Sequence, residues 1–298
     1  MTTRALVLGG GGPVGIAWET GLVAGLAEKG VRLADADLIV GTSAGSMVGA
    51  QLALGRSAES MLASQRALGE QVKKSASESG DAGPGSASTG QLQPLFEMMQ
   101  KAMTGEGDGN ALRREIGAFA LAAKTMPEEQ WLGTFGFLLG AEWPEKRFIA
   151  TAVDAESGEF IAWERGGAAE LGRAVASSCT VPGIFPPVAI AGRRYIDGGM
   201  RSATNADLAA GHDVTVVVAV TAAMAAGPPA ERSRAALEKE LDVVRAKGAV
   251  ALIVPDAASI EAFGPNLMDG TRRSGAADAG YAQGLAAAQE IAQTWSSD

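Results

Sequence analysis

The chain of 298 residues has a single histidine, His212, and a single cysteine, Cys179. One cysteine excludes an intramolecular disulfide framework and any cysteine-rich metal site, and with one histidine the usual zinc chemistry has almost no ligands to use. An excess of positive charge is missing as well. The net charge of −9 argues against a nucleic-acid partner, which needs a basic footprint, and against strong electrostatic attachment to anionic bilayers, while leaving transient contact with a membrane surface open. No apolar run approaches the roughly 18 residues that span a bilayer. The start, MTTRALVLGG, has too short an apolar stretch before its glycines for a signal-peptide core. These absences give the expectation of a cytoplasmic protein, at most peripheral to a membrane, that needs neither metal nor organic cofactor. Oligomeric state is not legible.

Nearly half of the residues are hydrophobic, and glycine and alanine abound, a globular composition suited to tight turns and close helix packing. The pattern RALVLG (4–9) reads as a strand ending in glycines. A helix with Trp18, Leu22 and Leu26 on one stripe follows and stops at Gly30; then come a strand over ADLIV (36–40) and a second helix. Strand–helix–strand–helix with short connections implies parallel strands and right-handed crossovers, hence an α/β fold. Further strands are predicted at 147–154 and 159–163, as a hairpin about AESG, and at 193–197, 213–220 and 249–255. The last two, rich in Val and Ile, read as buried on both faces. A closing helix is predicted over SGAADAGYAQGLAAAQEIAQTW. Between them, about 55–145 reads as an insertion within a single domain, 1–298. Its Ser/Gly-rich part (73–90) is expected as a loop. Leu95, Met99 and Met103, and the patch Trp131, Leu132, Phe135, Phe137 and Leu138, are either ordinary core or a lid or acyl-binding region over a nearby site.

Three stretches carry chemistry. Gly41-Thr-Ser43-Ala-Gly45 fits G-x-S-x-G, a nucleophile elbow in which glycines flank a serine on a strained strand-to-helix turn. The predicted strand before it and helix after it are the context that this motif requires. Ser46, one helical turn on, is the nearest rival. The run Gly9-Gly10-Gly11-Gly12-Pro13-Val14-Gly15 also satisfies G-x-G-x-x-G, so an NAD(P)-binding oxidoreductase is one reading. However, the next strand ends in Gly-Thr-Ser rather than in an acid for a ribose, and Pro13 removes an amide donor, which favours an oxyanion hole instead. Lastly, Asp197-Gly198-Gly199 is either a turn aspartate or the base that Ser43 needs. Aspartate is less basic than histidine by roughly 2.6 pKa units, about 3.5 kcal/mol, so it serves only if desolvated and seated against the serine. His212 precedes its strand and so belongs at the edge of the sheet opposite the elbow.

GGGGPVG, GTSAG, ASSCTVPGIFPPV (176–188) and DGG, in this order and spacing, with LIVPD and NLMDG after them, resemble the patatin-like phospholipases. The resemblance implies a three-layer α/β/α sandwich with a mostly parallel central sheet. It implies a Ser-Asp dyad of Ser43 and Asp197, and an oxyanion hole from Gly10, Gly11 and Gly12, to which the amide of Ala44 would add. The implied reaction is hydrolysis of lipid or fatty-acyl esters, of the phospholipase A, lysophospholipase or lipase kind, through an acyl-enzyme. A non-catalytic lipid-binding or scaffold protein of the same fold is the alternative. Val14 stands where the family's glycine loop usually carries Arg or Lys.

Overall fold

Strand β1 (Arg4–Leu8) lies inside the sheet of the computed structural model, whose described residues are 2–79, 109–223 and 228–296. It pairs in parallel with β2 (Leu38–Gly41) and with β7 (Val214–Val218). Strand β3 (Arg147–Asp154) extends the parallel set beyond β2, and β8 (Ala249–Ile253) extends it beyond β7. Antiparallel pairing enters only at the β3 end. There β4 (Phe160–Trp163) and β6 (Arg193–Asp197) pair with β3, and β5 (Val188–Ile190) pairs with β6. The expected 147–163 hairpin is therefore present.

Side-chain alternation along the strands separates two apolar layers. Leu6, Leu8, Ile39, Val216 and Val218 enter one cluster with α1 (Gly12–Glu28) and α9 (Arg273–Trp295). Ala5, Val7, Leu38, Val40 and Val217 enter the other with Leu241 of α7 (Pro228–Arg245). Helices thus cover both faces, the α/β/α sandwich expected from the sequence, and the central strands are continuous apolar runs for that reason. Strand β8 departs from the expectation. It ends the sheet, and Ala249, Val250, Ala251 and Leu252 are all partly or largely exposed.

The described part of the insertion is largely helical, and one of its helices reaches further than its composition suggests. Helix α3 (Ala58–Ser79) runs through Lys73–Ser79, where a loop is expected, because Arg66 pairs with Asp278 at 2.7 Å and Lys73 donates to Ser274 Oγ at 2.5 Å, tying it to α9. Helices α4 (Gly109–Ala122) and α5 (Glu128–Gly133) complete its described part; Leu95, Met99 and Met103 lie outside the described residues. No described helix is long and apolar enough to cross a membrane.

Helices α1 and α9 run parallel with their backbones in contact. A Cβ on Gly21 or Gly25 would strike the backbone of Ala277 or Tyr281, and one on Gly280 or Gly284 the backbone of Trp18 or Leu22. Replacing Gly284 by valine should therefore cost about 3 kcal/mol or more through overpacking. Gly275→Ala, where a Cβ meets nothing within 4 Å, should be neutral or stabilising. Urea unfolding of the two variants beside the wild type measures the contrast; equal midpoints would refute the close packing.

Candidate active site

Two strand ends converge on the middle of β3. Gly41, the last residue of β2, pairs with Ala150, and Asp197, the last of β6, pairs with Ala152. Thr151 between them donates its hydroxyl to Thr42 Oγ1 at 2.9 Å, and Asn205 Nδ2 donates to the same Thr42 oxygen at 3.0 Å. This buried polar layer carries the turn at Ser43.

Ser43 follows β2 and precedes α2 (Ala44–Ala53) with φ 52° and ψ −116°, a backbone that L-residues rarely adopt. Side chains at Gly41 or Gly45 would collide with the backbone of Ser46 or of Leu8, which explains both glycines of the motif. The strained peptide is clamped on each side. Its N–H donates to Ser178 Oγ at 2.9 Å, and its carbonyl accepts from Ser46 Oγ at 2.7 Å and from Cys179 Sγ at 3.1 Å. Ser46 is thus a brace. Burial pushes the Cys179 thiol far up, so it stays neutral and offers no rival nucleophile.

Asp197 is 2% exposed, and the Gly199 N–H donates to its carboxyl at 2.7 Å. Burial raises the carboxyl to about 7, while the nearby Ser43 hydroxyl and the Gly199 amide hold it down. The structure therefore brings Ser43 and Asp197 together. His212 precedes β7 at the opposite edge of the sheet, its Nδ1 2.9 Å from the Ala209 carbonyl.

Within the glycine loop the amides differ. Gly10 lies against Ser43, a Cβ there falling 3.4 Å from the serine Cβ, but its N–H already donates to the Ala203 carbonyl at 2.8 Å. That corrects the expectation that Gly10 offers an oxyanion donor. The amides of Gly11, Gly12 and Ala44 have no acceptor among the described residues. Gly12 and Ala44 open α1 and α2, so two positive helix ends meet at the site. Val14 is fully buried in the core. Glu19, further along α1, is fully buried without a hydrogen-bond partner among the described residues; burial drives its carboxyl well above the usual range, and the nearby Gly9 amide is already spent on Val218.

Ser43, Gly12 and Ala44 open into a cavity of about 530 Å3. Trp131 stacks on Phe185 at 3.7 Å in its wall, with Phe135, Val181 and Met268 among its other apolar residues. Leu68 and Val72 of α3 line it too, so described parts of the insertion do border the serine. Trp131, Leu132, Phe135 and Leu138 are core residues, whereas Phe137 is 53% exposed. Ser178, Cys179, Asn205 and Thr151 were not singled out as site residues from the sequence. For the first two the signal was the 176–188 stretch itself, legible as a motif but not as a clamp.

The family model for patatin-like phospholipases matches residues 6–210. The chain belongs to that family. Patatin-like sequence thus covers the elbow, the glycine loop and the Asp197 turn, while Met268 and Arg273 of the cavity lie beyond it. None of the curated proteins matches the chain. Among solved structures, it is similar to VipD from Legionella pneumophila, at 14% identity and a TM-score of 0.45, over 97% of this chain and 67% of that one. It is also similar to the type III effector protein ExoU, at 16% identity and a TM-score of 0.37, over 97% of this chain and 53% of that one. The patatin-like chain here thus spans about half the length of ExoU and about two thirds of VipD.

A carboxyl whose folded pKa lies above its unfolded value keeps a proton that the unfolded chain has lost, so stability falls as pH rises between the two. For Asp197, raised from 3.8 to about 7, that loss is on the order of 4 kcal/mol across the window. Glu19 acts in the same sense. Asp197→Asn should match the wild type near pH 4 and become progressively more stable than it towards pH 8, as read by urea unfolding across that range. Parallel profiles would mean that Asp197 titrates normally.

Proposed function

We propose that this patatin-like protein is a serine acyl hydrolase of lipid esters that works through an acyl-enzyme on Ser43. The observation that carries the reading is the pairing of a serine on a strained elbow, open to an apolar cavity, with a buried carboxyl that is raised to about 7 by burial and held down from there by the serine hydroxyl. A base with a pKa near the working pH has the best compromise between being deprotonated and being basic enough to act.

In the first half-reaction the Asp197 carboxylate takes the proton of Ser43 as Oγ attacks the ester carbonyl. Negative charge grows on the carbonyl oxygen, where the amides of Gly11, Gly12 and Ala44 and two helix ends would stabilise it. Collapse of the tetrahedral intermediate breaks the ester C–O bond; Asp197 returns the proton to the leaving alkoxide, and the alcohol departs. In the second half-reaction Asp197 takes a proton from water, whose oxygen attacks the acyl-serine, and Ser43 leaves with that proton restored. The apolar walls around Trp131, Phe135 and Phe185 suit the acyl chain.

Turnover of a short-chain p-nitrophenyl ester tests the dyad. Ser43→Ala and Asp197→Asn should each lower kcat/KM by roughly three orders of magnitude or more, and a fluorophosphonate should label Ser43 in the wild type alone. His212→Ala should keep full activity. Retention of turnover by both dyad variants would overturn the assignment. In the wild type kcat/KM should rise with pH through about 7 and then level, since only the Asp197 carboxylate accepts the proton.

A further inference from the structure

The lining of the Ser43 cavity includes two charged side chains among the described residues, Arg56 and Arg273, and no carboxylate. Acids outnumber Lys and Arg by 34 to 25 in the whole chain, so this local sign runs against the composition. Several arginines elsewhere are met by acids, Arg66 by Asp278, Arg147 by Glu164, Arg193 by Asp154 and Arg201 by Asp207, while Arg4 and Arg165 bond backbone carbonyls. In the cavity the two arginines are met by neutral groups. Arg273 Nη1 donates to Gln65 Oε1 at 2.7 Å; Arg56 donates to Gln51 Oε1 at 2.5 Å and to Ser64 Oγ at 3.3 Å. Ser64 and Gln65 both belong to α3, so one helix holds both guanidinium groups in the wall of the same cavity.

A guanidinium offers five donors in a planar fork, and an amide oxygen occupies one direction of it without neutralising any charge. Burial pulls Arg273 down to about 10, with no acid holding it up, and it remains cationic at neutral pH. A desolvated cation without a counter-charge is costly, and an arriving oxyanion relieves that cost with bidentate, charge-assisted hydrogen bonds. Arg273 lies outside the matched residues 6–210, and Val14 leaves the glycine loop itself without a cation.

We propose that Arg273 and Arg56 form an anion subsite that takes the phosphate or carboxylate group of an amphiphilic acyl ester whose ester carbonyl lies at Ser43. The placement of the ester rests on the acyl-hydrolase reading; the anion contact does not.

Calorimetric titration of Ser43→Ala protein, which cannot consume a ligand, separates the two. Dodecyl phosphate should bind at least about tenfold more tightly than the uncharged dodecyl maltoside, and adding Arg273→Gln should remove about that factor, roughly one charge-assisted contact, for the phosphate alone. Gln65→Glu should do the same with the arginine intact, because a carboxylate there would occupy the guanidinium from within; this arm keeps the test decisive if Arg273→Gln fails to fold. Unchanged dodecyl phosphate affinity in both variants would overturn the subsite. Inorganic phosphate binding as tightly as dodecyl phosphate would overturn an amphiphile as its ligand. Absence of ester turnover in the wild type, with charge-selective binding retained, would refute the hydrolase reading and leave the subsite standing.

Discussion

The backbone of Ser43 sits where few residues other than glycine rest, and the site depends on keeping it there. A strained φ is held only when its surroundings over-determine it. Here Ser178 holds the amide and Ser46 and Cys179 hold the carbonyl, while Leu8 and Ser46 leave room for nothing larger than glycine on either flank. Because the Ser43 amide is committed to Ser178, donors to a substrate oxygen have to come from the neighbouring residues.

Electrostatics follow from the same crowding. A chain with one histidine, placed at the wrong edge of its sheet, has no imidazole to offer Ser43. Burial lifts the Asp197 carboxyl into the range where imidazole normally works, as the proposed dyad requires. That solution has a stability cost, since a site that raises a carboxyl pKa opposes its ionisation in the folded state. Glu19 adds another buried carboxyl with a raised pKa, without any hydrogen bond from the described residues in return.

Much of this was legible in the sequence because it is local. The strands at 147–154 and 193–197 fall where the apolar patterns put them, and GTSAG states its own turn chemistry in its glycines. What escaped depends on distant segments. Gly10 reads as a free donor until the loop at Ala203 is folded against it. Strand β8 reads as buried because a Val- and Ile-rich run does not reveal that it ends the sheet. Residues 73–79 read as loop, yet contacts with Ser274 and Asp278 extend α3 through a weak local sequence. Arg273 shows no motif at all; only its place in the cavity wall distinguishes it from other arginines.

Helices α1 and α9 touch backbone to backbone, run the same way, and both begin at the cavity, one with the glycine loop and the other with Arg273. With glycines where the two backbones meet, little room is left for one helix to shift against the other. The gap between the glycine amides and the guanidinium is then a fixed length, a gauge that does not stretch to suit its contents. A ligand touching both ends is measured by the number of atoms separating its two polar groups, whatever the length of its apolar tail.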